Sequence, residues 1–504
     1  HITTMLVGVE FWRYGPVPPA VSIRTGPYLQ NSTPTSIVVV WETDRPCPSA
    51  VMYRESGSDS WNWKNMTEQV KIHQVLIEGL KTGVRYEYAV VSGGAKSERH
   101  SFRLNFRTPF RFLVYGDSRT SPVNHRKVVE SMIPFSPDFV INVGDVVESG
   151  NVYSQWKSQH FDPLRQLASN VTTYIAIGNH ERNSPWFDEY VCQPGNEHFF
   201  AFTYANARFI FLDTNWPFFP GSPQYEWLRR ELSSEEYRSA TFHFAFFHHP
   251  PYSEMWDSPG YIGDSAVRSY LVPLLEAAKV DIVFNGHTHD YERGRRPLSG
   301  PDGTYYIITG GGGAPLDTVV THDWEHVVVH RSEYHFCVID VSEHNLTFRA
   351  VAIDGEVMDN FTVDKSSSRP DLAVEELGFD PERSEVSLRV SNLGFVPAAS
   401  FTVLLEANGT QVSSVRLGGL SPGEERVLNI SWSPGDGLWV LNATVDPQDE
   451  VDEGIWEQNN CIAQLVRVNT KLPDLWIAGI QASEASVGRP VRVSVTVENR
   501  GPVT

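Results

Sequence analysis

The stretch Gly178-Asn179-His180-Glu181 follows a short apolar run, Tyr174-Ile175-Ala176-Ile177. An apolar run of this length that ends at a glycine predicts a buried strand. An amide, an imidazole and a carboxylate follow the glycine, and such side chains bind metal ions or transfer protons. The stretch therefore predicts a strand that presents functional side chains at its carboxyl end.

The same order, an apolar run followed by ligand-type residues, occurs at four further places. The runs 112–115, 139–143, 242–247 and 282–284 lead into Gly116-Asp117, Gly144-Asp145, His248-His249-Pro250 and Asn285-Gly286-His287-Thr288-His289. Ligands at the carboxyl ends of adjacent strands in an open α/β sheet converge in one crevice. The five segments therefore predict a single site.

Length and charge limit the classes of protein to consider. A chain of 504 residues is too long for one hydrophobic core and predicts several domains. Its net charge is −20, without a basic block, which argues against a nucleic-acid scaffold or an anionic membrane surface as the main partner. No apolar run approaches the roughly 18 residues of a membrane-spanning helix, so the sequence predicts no transmembrane segment.

The N-terminal part of the chain has an all-β pattern. Residues 1–17 predict a strand-like leader, and residues 18–108 contain short apolar strands separated by turn signals, which predicts a sandwich of roughly seven strands. Trp41 in an early strand and the stretch 80–88, LKTGVRYEY, resemble fibronectin type III domains.

Two further changes of pattern divide the rest of the chain. In 109–364 strands alternate with helical patterns, which predicts an α/β domain that contains all five ligand-bearing segments. Residues 365–370 predict a linker, and 371–469 predict a second all-β sandwich. The opening of that sandwich recurs at Pro473, so 473–504 predict the start of a second repeat. The predicted fold class is thus multidomain: all-β, then α/β, then all-β immunoglobulin-like.

Glycosylation signals indicate the compartment. The motif Asn-x-Ser/Thr is more frequent than chance predicts, which favours an extracellular glycoprotein over coincidence in a Ser/Thr-rich β protein. The candidate asparagines are Asn31, Asn65, Asn170, Asn345, Asn360, Asn408, Asn429 and Asn442. The four cysteines are too scattered for a disulfide framework. Whether Cys192 and Cys337 form a bridge stays open.

The ligand types in the five segments suit a pair of metal ions. Such a pair needs a carboxylate to bridge it and several neutral or anionic ligands on either side. The chain supplies Asp117, Asp145, Asn179, His248, His287 and His289. His249 is either a further ligand or a neighbour of His248 with its own hydrogen bonds.

These segments resemble, in order and context, the calcineurin-like metallophosphoesterase superfamily. The N-terminal β domain and the run 286–293, GHTHDYER, are most similar to its purple acid phosphatase branch. The resemblance implies an αββα sandwich and two metal ions. It implies that Asp145 bridges the metals, that Asp117 and His289 hold the first metal, and that the second is held by Asn179, His248 and His287.

The resemblance also implies an activity. The implied activity is the hydrolysis of phosphate esters by a metal-bridging hydroxide, and phosphate monoesters are the first choice of substrate. His180 would protonate the leaving oxygen, and Glu181 would orient His180. A phosphodiesterase acting on nucleotides or phospholipid headgroups is the runner-up. The third alternative is a structural surface or filament protein whose phosphatase domain is incidental or inactive.

One residue departs from the family pattern. Purple acid phosphatases carry a tyrosine three residues after the bridging aspartate, and this chain has Glu148 there. Iron, zinc and manganese are therefore all candidate metals, and Glu148 is either a ligand or a polar loop residue. Arg119 either binds the phosphoryl oxygens or forms a surface ion pair. Four aromatic residues either line the pocket or belong to the core: Trp186, Phe187, Tyr252 and Trp256.

The C-terminal module resembles the CARDB repeats of archaeal and bacterial surface proteins, which implies a secreted or cell-surface location. Its acidic run, from Asp446 through Asp449, Glu450 and Asp452 to Glu453, is either a calcium site or a solvated loop. The leader and the incomplete second repeat suggest assembly between chains by strand complementation.

Overall fold

The computed structural model describes residues 20–181, 184–258, 260–297, 303–365, 370–394, 396–451, 453, 459–468, 475–482 and 493–499. The chain divides into two compact units, His1–Asp364 and Lys365–Thr504. The predicted leader and most of the predicted linker lie outside the described residues.

The N-terminal β region is built on two long antiparallel strands. Its strands are β1 (Ile23–Gln30), β2 (Ser36–Glu55), β3 (Asn62–Glu78), β4 (Arg85–Ser92), β5 (Ala95–Lys96) and β6 (His100–Arg103). The first half of β2 pairs with β1, and its second half pairs with β4. On its other side, β2 pairs with β3 along both halves, with register shifts near Cys47. The two apolar runs at 36–41 and 50–54 thus belong to one irregular strand.

The central region contains two facing sheets. Its strands are β7 (Phe110–Tyr115), β8 (Phe139–Asn142), β9 (Thr172–Ile175), β10 (Phe200–Tyr204), β11 (Ala207–Phe211), β12 (Phe242–Phe246), β13 (Ile282–Asn285), β14 (Tyr291–Arg296), β15 (Thr304–Thr309), β16 (Val327–Arg331), β17 (His335–Val341), β18 (Asn345–Ala352) and β19 (Val357–Asp364). One sheet runs β19-β18-β17-β7-β8-β9, and the other runs β10-β11-β12-β13-β15-β14-β16. The strands β7, β8 and β9 are parallel, as are β11, β12, β13 and β15.

Helices cover the outer faces of these two sheets. They are α1 (Pro122–Met132), α2 (Tyr153–Gln155), α3 (Asp162–Ala168), α4 (Pro185–Tyr190), α5 (Pro223–Glu231), α6 (Glu235–Arg238), α7 (Ser265–Tyr270) and α8 (Val272–Ala277). A π-helical turn, Trp156–Phe161, joins α2 to α3. Buried aromatic residues such as Phe112, Phe139, Phe209 and Phe244 fill the space between the sheets. The predicted α/β sandwich with helices outside is confirmed.

The N-terminal β region and the central region share one sheet and several buried contacts. Leu29 of β1 pairs in parallel with Thr172 of β9. Glu42 of β2 is 3% exposed and accepts hydrogen bonds from the hydroxyls of Tyr153 and Tyr190. Because a buried carboxylate is costly without partners, these contacts tie the two regions together within the first unit.

The second unit contains a β-sandwich and a further pair of antiparallel strands. Its strands are β20 (Leu372–Asp380), β21 (Glu385–Asn392), β22 (Phe401–Ala407), β23 (Thr410–Leu417), β24 (Glu425–Ser431), β25 (Gly437–Val445), β26 (Cys461–Val468), β27 (Leu475–Ala482) and β28 (Val493–Asn499). The sheets β20-β21-β24 and β23-β22-β25-β26 enclose an apolar core that includes Leu388, Phe401 and Leu441. The strands β27 and β28 form the antiparallel pair where the second repeat is predicted.

The acidic run of this unit makes structural contacts in its described part. The Asp446 carboxylate accepts the backbone N–H groups of Glu450 and Val451, at 2.9 and 2.7 Å. Glu450 pairs with Arg416, and Glu453 accepts from the backbone N–H of Leu372. Asp452 lies outside the described residues. These contacts favour a structured loop over a calcium site.

Two further predictions concern cysteines and membranes. Cys192 and Cys337 are both free thiols. Among the helices of the described residues, none combines the length and the apolar character that a membrane span requires.

Candidate metal centre

The predicted ligands lie where the parallel strands of both sheets end. Asp117, Asp145 and Asn179 follow β7, β8 and β9, while His248 and His287 follow β12 and β13. The backbone at three of these positions is strained, with φ of 55° at Asp117, 54° at Asp145 and 74° at His287. Left-handed φ at a residue other than glycine costs about 1–3 kcal/mol and persists where the surroundings impose it. Three such outliers in one place mark a functional site.

Gly178 allows two of these loops to approach each other. A Cβ at this position would lie 2.2 Å from Oδ1 and 2.4 Å from the backbone nitrogen of Asp145. No side chain fits there, so the glycine is a steric requirement of the motif. The approach lets the backbone N–H of His180 donate to Asp145 Oδ1 at 2.9 Å.

The first group of ligand atoms gathers around Asn179. Its Oδ1 lies 3.1 Å from His248 Nε2 and 3.0 Å from His287 Nδ1. His248 Nε2 is also 3.3 Å from Asp145 Oδ2. Asp145, His248 and His287 offer ligand atoms that all lie within 4.8 Å of one another. We call Asn179, His248 and His287 the Asn179 half of the site.

The second group lies on the other side of Asp145. Asp117 Oδ1 is 3.7 Å from His289 Nε2 and is a buried atom without a hydrogen-bond partner. The guanidinium of Arg119 also lies here, with Nε 3.4 Å from Asp145 Oδ2 and Nη2 3.2 Å from His289 Nε2. Glu148 binds this guanidinium at 2.6 Å. We call Asp117, His289, Arg119 and Glu148 the Arg119 half.

The imidazole contacts fit a metal centre. His248 Nδ1 lies 2.8 Å from the Val143 carbonyl and His289 Nδ1 lies 2.7 Å from the Pro315 carbonyl. Donation to these carbonyls leaves the remaining nitrogen of each ring, Nε2, facing the other ligand atoms. Metal-binding histidines are oriented in this way. Together with the unpartnered Asp117 oxygen, this arrangement shows that the residues present suit two cations.

The electrostatics of the site couple Asp145 to His248. Burial alone would raise the pKa of Asp145, but the charge of His248 and hydrogen bonds from His248 and His180 bring the pKa far below its ordinary value. Burial would lower the pKa of His248, but the Asp145 charge raises it to about 9. Cations that bind here compete with this proton, because a histidine ligand must be neutral.

His180 stands at the edge of the site, and its ring is held by a backbone carbonyl. Its Nδ1 is 2.6 Å from the Glu148 carbonyl and its Nε2 is 3.8 Å from Asp145 Oδ2. The predicted partner, Glu181, makes different contacts. Its fully buried carboxylate accepts the backbone N–H groups of Gly178, Asp145, Val146 and Val147. Glu181 therefore supports the Asp145 loop, whereas the Glu148 carbonyl orients His180.

Aromatic rings surround His287. The Trp256 ring stacks on its imidazole at 5.3 Å, and the Tyr261 ring meets it edge-on at 5.0 Å. Of the four aromatic residues singled out in the sequence, Trp256 contacts a ligand, while Trp186, Phe187 and Tyr252 pack elsewhere, against Tyr153, Trp156 and Trp324. The sequence signal missed Tyr261, because a lone tyrosine in a loop has no pattern.

His249 contacts the site without joining the ligand group. Its Nδ1 lies 2.7 Å from the Thr214 hydroxyl, and its ring centre is 4.6 Å from that of His287. Burial, followed by the charge of His248, lowers the pKa of His249 to about 4. A neutral His249 that is hydrogen-bonded to the Thr214 hydroxyl favours the second predicted role, a neighbour of His248 with its own hydrogen bonds, over that of a further ligand.

Family models match three parts of the chain. The model for calcineurin-like phosphoesterases matches residues 110–291, which include every predicted metal ligand. The chain carries a calcineurin-like phosphoesterase domain. The purple acid phosphatase N-terminal domain matches residues 26–108, before the phosphoesterase domain, and CARDB matches residues 369–464, after it. The phosphoesterase domain is of the metallophosphoesterase class of hydrolases, and this class implies a binuclear metal centre.

Individual relatives agree with these matches. Purple acid phosphatase 15 of Arabidopsis thaliana is 27% identical over 296 residues, which cover 50% of this chain and 55% of the relative. Probable inactive purple acid phosphatase 27 of Arabidopsis thaliana is 27% identical over 264 residues, which cover 45% of this chain and 43% of the relative. The chain thus spans about half the length of these relatives.

A solved structure shares the fold of about two thirds of the chain. Purple acid phosphatase PPD1 from yellow lupin (Lupinus luteus) seeds superposes with a TM-score of 0.60 at 19% identity, covering 68% of this chain and 74% of that chain. At this identity the likeness shows the fold alone.

Proposed function

We propose that the chain is a binuclear metal-dependent phosphoesterase that acts first on phosphate monoesters. The observation that carries the proposal is the convergence of six predicted ligands, five of them in two groups on either side of the sixth, Asp145. Asn179, His248 and His287 would hold one cation, Asp117 and His289 the other, and Asp145 both.

The chain's own residues supply proton transfer and orientation. Two bound cations would supply Lewis-acid polarisation of the phosphoryl group and a water of lowered pKa. His180 presents Nε2 to the site because its Nδ1 faces the Glu148 carbonyl. A protonated His180 in this orientation would donate its Nε2 proton to the leaving oxygen of the ester. The strained loops of Asp117 and Asp145 hold the ligands in place before substrate binds.

The ligand set allows iron, zinc or manganese. All six ligands offer oxygen or imidazole nitrogen, which suit each of these ions. The residue three positions after Asp145 is Glu148, whose carboxylate binds Arg119 and Thr120. We therefore expect no tyrosinate from this position, and an absorption spectrum in the visible range checks this together with metal analysis.

The test is a matched pair of substitutions. Asp145→Asn removes the shared charge, and we expect turnover of 4-nitrophenyl phosphate to fall by about 10³-fold or more, because the cations supply several kcal/mol of transition-state stabilisation. Asp340→Asn is the control, since Asp340 pairs with Arg111 and Arg349 in the same domain. Equal turnover in Asp145→Asn and wild type would refute the proposal.

The same assay separates the alternatives. Faster hydrolysis of bis(4-nitrophenyl) phosphate than of the monoester by the metal-loaded wild type would indicate the phosphodiesterase. Binding of two cations without turnover of either ester would indicate an inactive domain in a structural surface protein.

We further propose that the protein is an extracellular or cell-surface glycoprotein. The CARDB match supports this location. None of the eight candidate asparagines is buried: five are exposed and Asn31, Asn170 and Asn442 are half-buried. We expect the protein from its native source to lose mass on enzymatic removal of N-linked glycans, and an unchanged intact mass would contradict the glycosylation.

A further inference from the structure

Glu148 joins the loop after β8 to the loop after β7. Its Oε2 accepts a hydrogen bond from Arg119 Nη1 at 2.6 Å and another from the Thr120 hydroxyl at 2.7 Å. Burial alone would raise the pKa of Glu148, but the hydrogen bonds from Thr120 and Arg119 lower it. The carboxylate is thus an ionised partner of the guanidinium, and charge-assisted pairs of this kind are the stronger hydrogen bonds.

Gln159 contacts the backbone of both loops. Its Oε1 accepts the backbone N–H of Glu148 at 2.7 Å and that of Thr120 at 3.3 Å. Gln159 lies in the π-helical turn Trp156–Phe161, an arrangement that occurs mostly as a single turn and often at functional sites. The Gln159 side chain therefore fixes the distance between Glu148 and Thr120, the residue that follows Arg119.

The backbone at Thr120 shows that this arrangement is imposed. Its φ is 71°, a left-handed value that is a genuine outlier for a β-branched residue. Such a conformation persists only when the surroundings over-determine it, and here the side chain is held by Glu148 and the backbone by Gln159. The strain is therefore used to set the position of the preceding residue, Arg119.

Not every N–H donor of the Arg119 guanidinium has a hydrogen-bond partner. Arg119 is 16% exposed, and its buried Nε has no hydrogen-bond partner. Its Nε faces Asp145 Oδ2 and its Nη2 faces His289 Nε2. Arginine has five N–H donors and no acceptor. When Asp145 and His289 hold cations, a donor on Nη2 is available to the oxygens of a phosphoryl group.

We propose that Glu148 is a positioning residue which, with Thr120 and Gln159, holds the Arg119 guanidinium as a fixed contact for the phosphoryl oxygens of the substrate. This role rests on the proposed phosphoesterase function and is an alternative to metal binding by Glu148. It also bears on specificity. A monoester carries more negative charge than a diester, so a fixed guanidinium stabilises it more.

The first experiment measures binding and requires no turnover. Glu148→Gln and wild type, each loaded with zinc, are compared for cation content by mass spectrometry and for binding of inorganic phosphate by calorimetry. We expect two cations per chain in both and phosphate affinity lower by about tenfold in Glu148→Gln, because the hydrogen bond to a charged partner is weakened. Glu226→Gln is the matched control, because Glu226 pairs with Arg229 on the exposed face of α5.

The second experiment asks whether Glu148 acts through Arg119. Arg119→Met removes the guanidinium, and the double variant is expected to bind phosphate no more weakly than Arg119→Met alone, since the two residues form one unit. With esters, Glu148→Gln is expected to raise KM more than it lowers kcat, and to do so more for the monoester than for the diester.

Three outcomes would overturn the inference. The loss of one cation in Glu148→Gln would make Glu148 a ligand, and unchanged phosphate affinity would show that Arg119 needs no positioning. Fully additive losses in the double variant would show that Glu148 acts independently of Arg119. A wild type that binds phosphate but hydrolyses no ester would refute the proposed function while leaving the binding test valid.

Discussion

The two halves of the site are organised differently around the carboxylate they share. In the Asn179 half, Asn179 Oδ1 lies within 3.1 Å of two imidazole nitrogens, and the Trp256 ring stacks on one of these imidazoles. In the Arg119 half, a guanidinium lies within hydrogen-bond distance of the histidine nitrogen. One half is arranged to receive a cation directly, whereas a cation that enters the other must replace a contact of Arg119.

This difference separates two tasks within one site. The Asn179 half has ligand atoms already gathered, so binding there needs little rearrangement. The Arg119 half combines two ligands with a positively charged group and its acidic partner, Glu148. We infer that the first half secures a cation and that the second half also recognises the anionic substrate.

The largest effect expected from this comparison is that two variants each weaken a different step of a zinc titration. Asn179→Ala should weaken the tighter step by about 100-fold or more, and Asp117→Ala should do so for the weaker step, because each variant removes a proposed ligand from one half. Calorimetric titration of the metal-free protein measures both steps.

Asn206→Ala is the control for this titration, because Asn206 lies in the same domain and donates to the carbonyls of Ser342 and Glu343. Two steps that weaken equally in both variants would show that the halves are not distinct. A tighter step that survives in Asn179→Ala would reverse their order.

A smaller effect is expected where the halves have a common support. Glu181→Gln places an amide donor among four backbone N–H donors of the Asp145 loop and the Gly178 turn. Since Asp145 serves both halves, we expect both zinc affinities to fall by about 10–100-fold, the usual effect of losing a group that orients a ligand. The same titration measures this.

Glu276→Gln is the matched control, because Glu276 is a half-buried carboxylate that accepts from Tyr306 in the same domain. Weakening confined to one half in Glu181→Gln would mean that Glu181 does not act through the shared carboxylate.

The convergence of the predicted ligands was predictable because they follow recognisable strands. Asp117, Asp145, Asn179 and His248 each follow an apolar run that is a buried parallel strand in the structure. Strand polarity alone then places the residues after them at one edge. The α/β class was predictable for a related reason, since the helical patterns between the apolar runs of 109–364 correspond to helices, among them α1, α3, α5 and the α7–α8 pair.

The supporting contacts were not predictable from local pattern. Gln159 reaches the site because the helix contains a π-helical turn, and the sequence 156–161 reads as ordinary helix. The role of Glu181 depends on which backbone N–H groups lie nearby, a tertiary fact. The strand β14 was not predicted because charged residues interrupt its apolar pattern.

The contact of Glu42 with Tyr153 and Tyr190 has a practical consequence for protein engineering. A phosphoesterase domain that begins at residue 110, where the family match begins, would lack Glu42 and β1. The hydroxyls of Tyr153 and Tyr190 and the edge of β9 would then have lost these partners. A segment of residues 20–364 keeps these contacts together with the candidate metal centre.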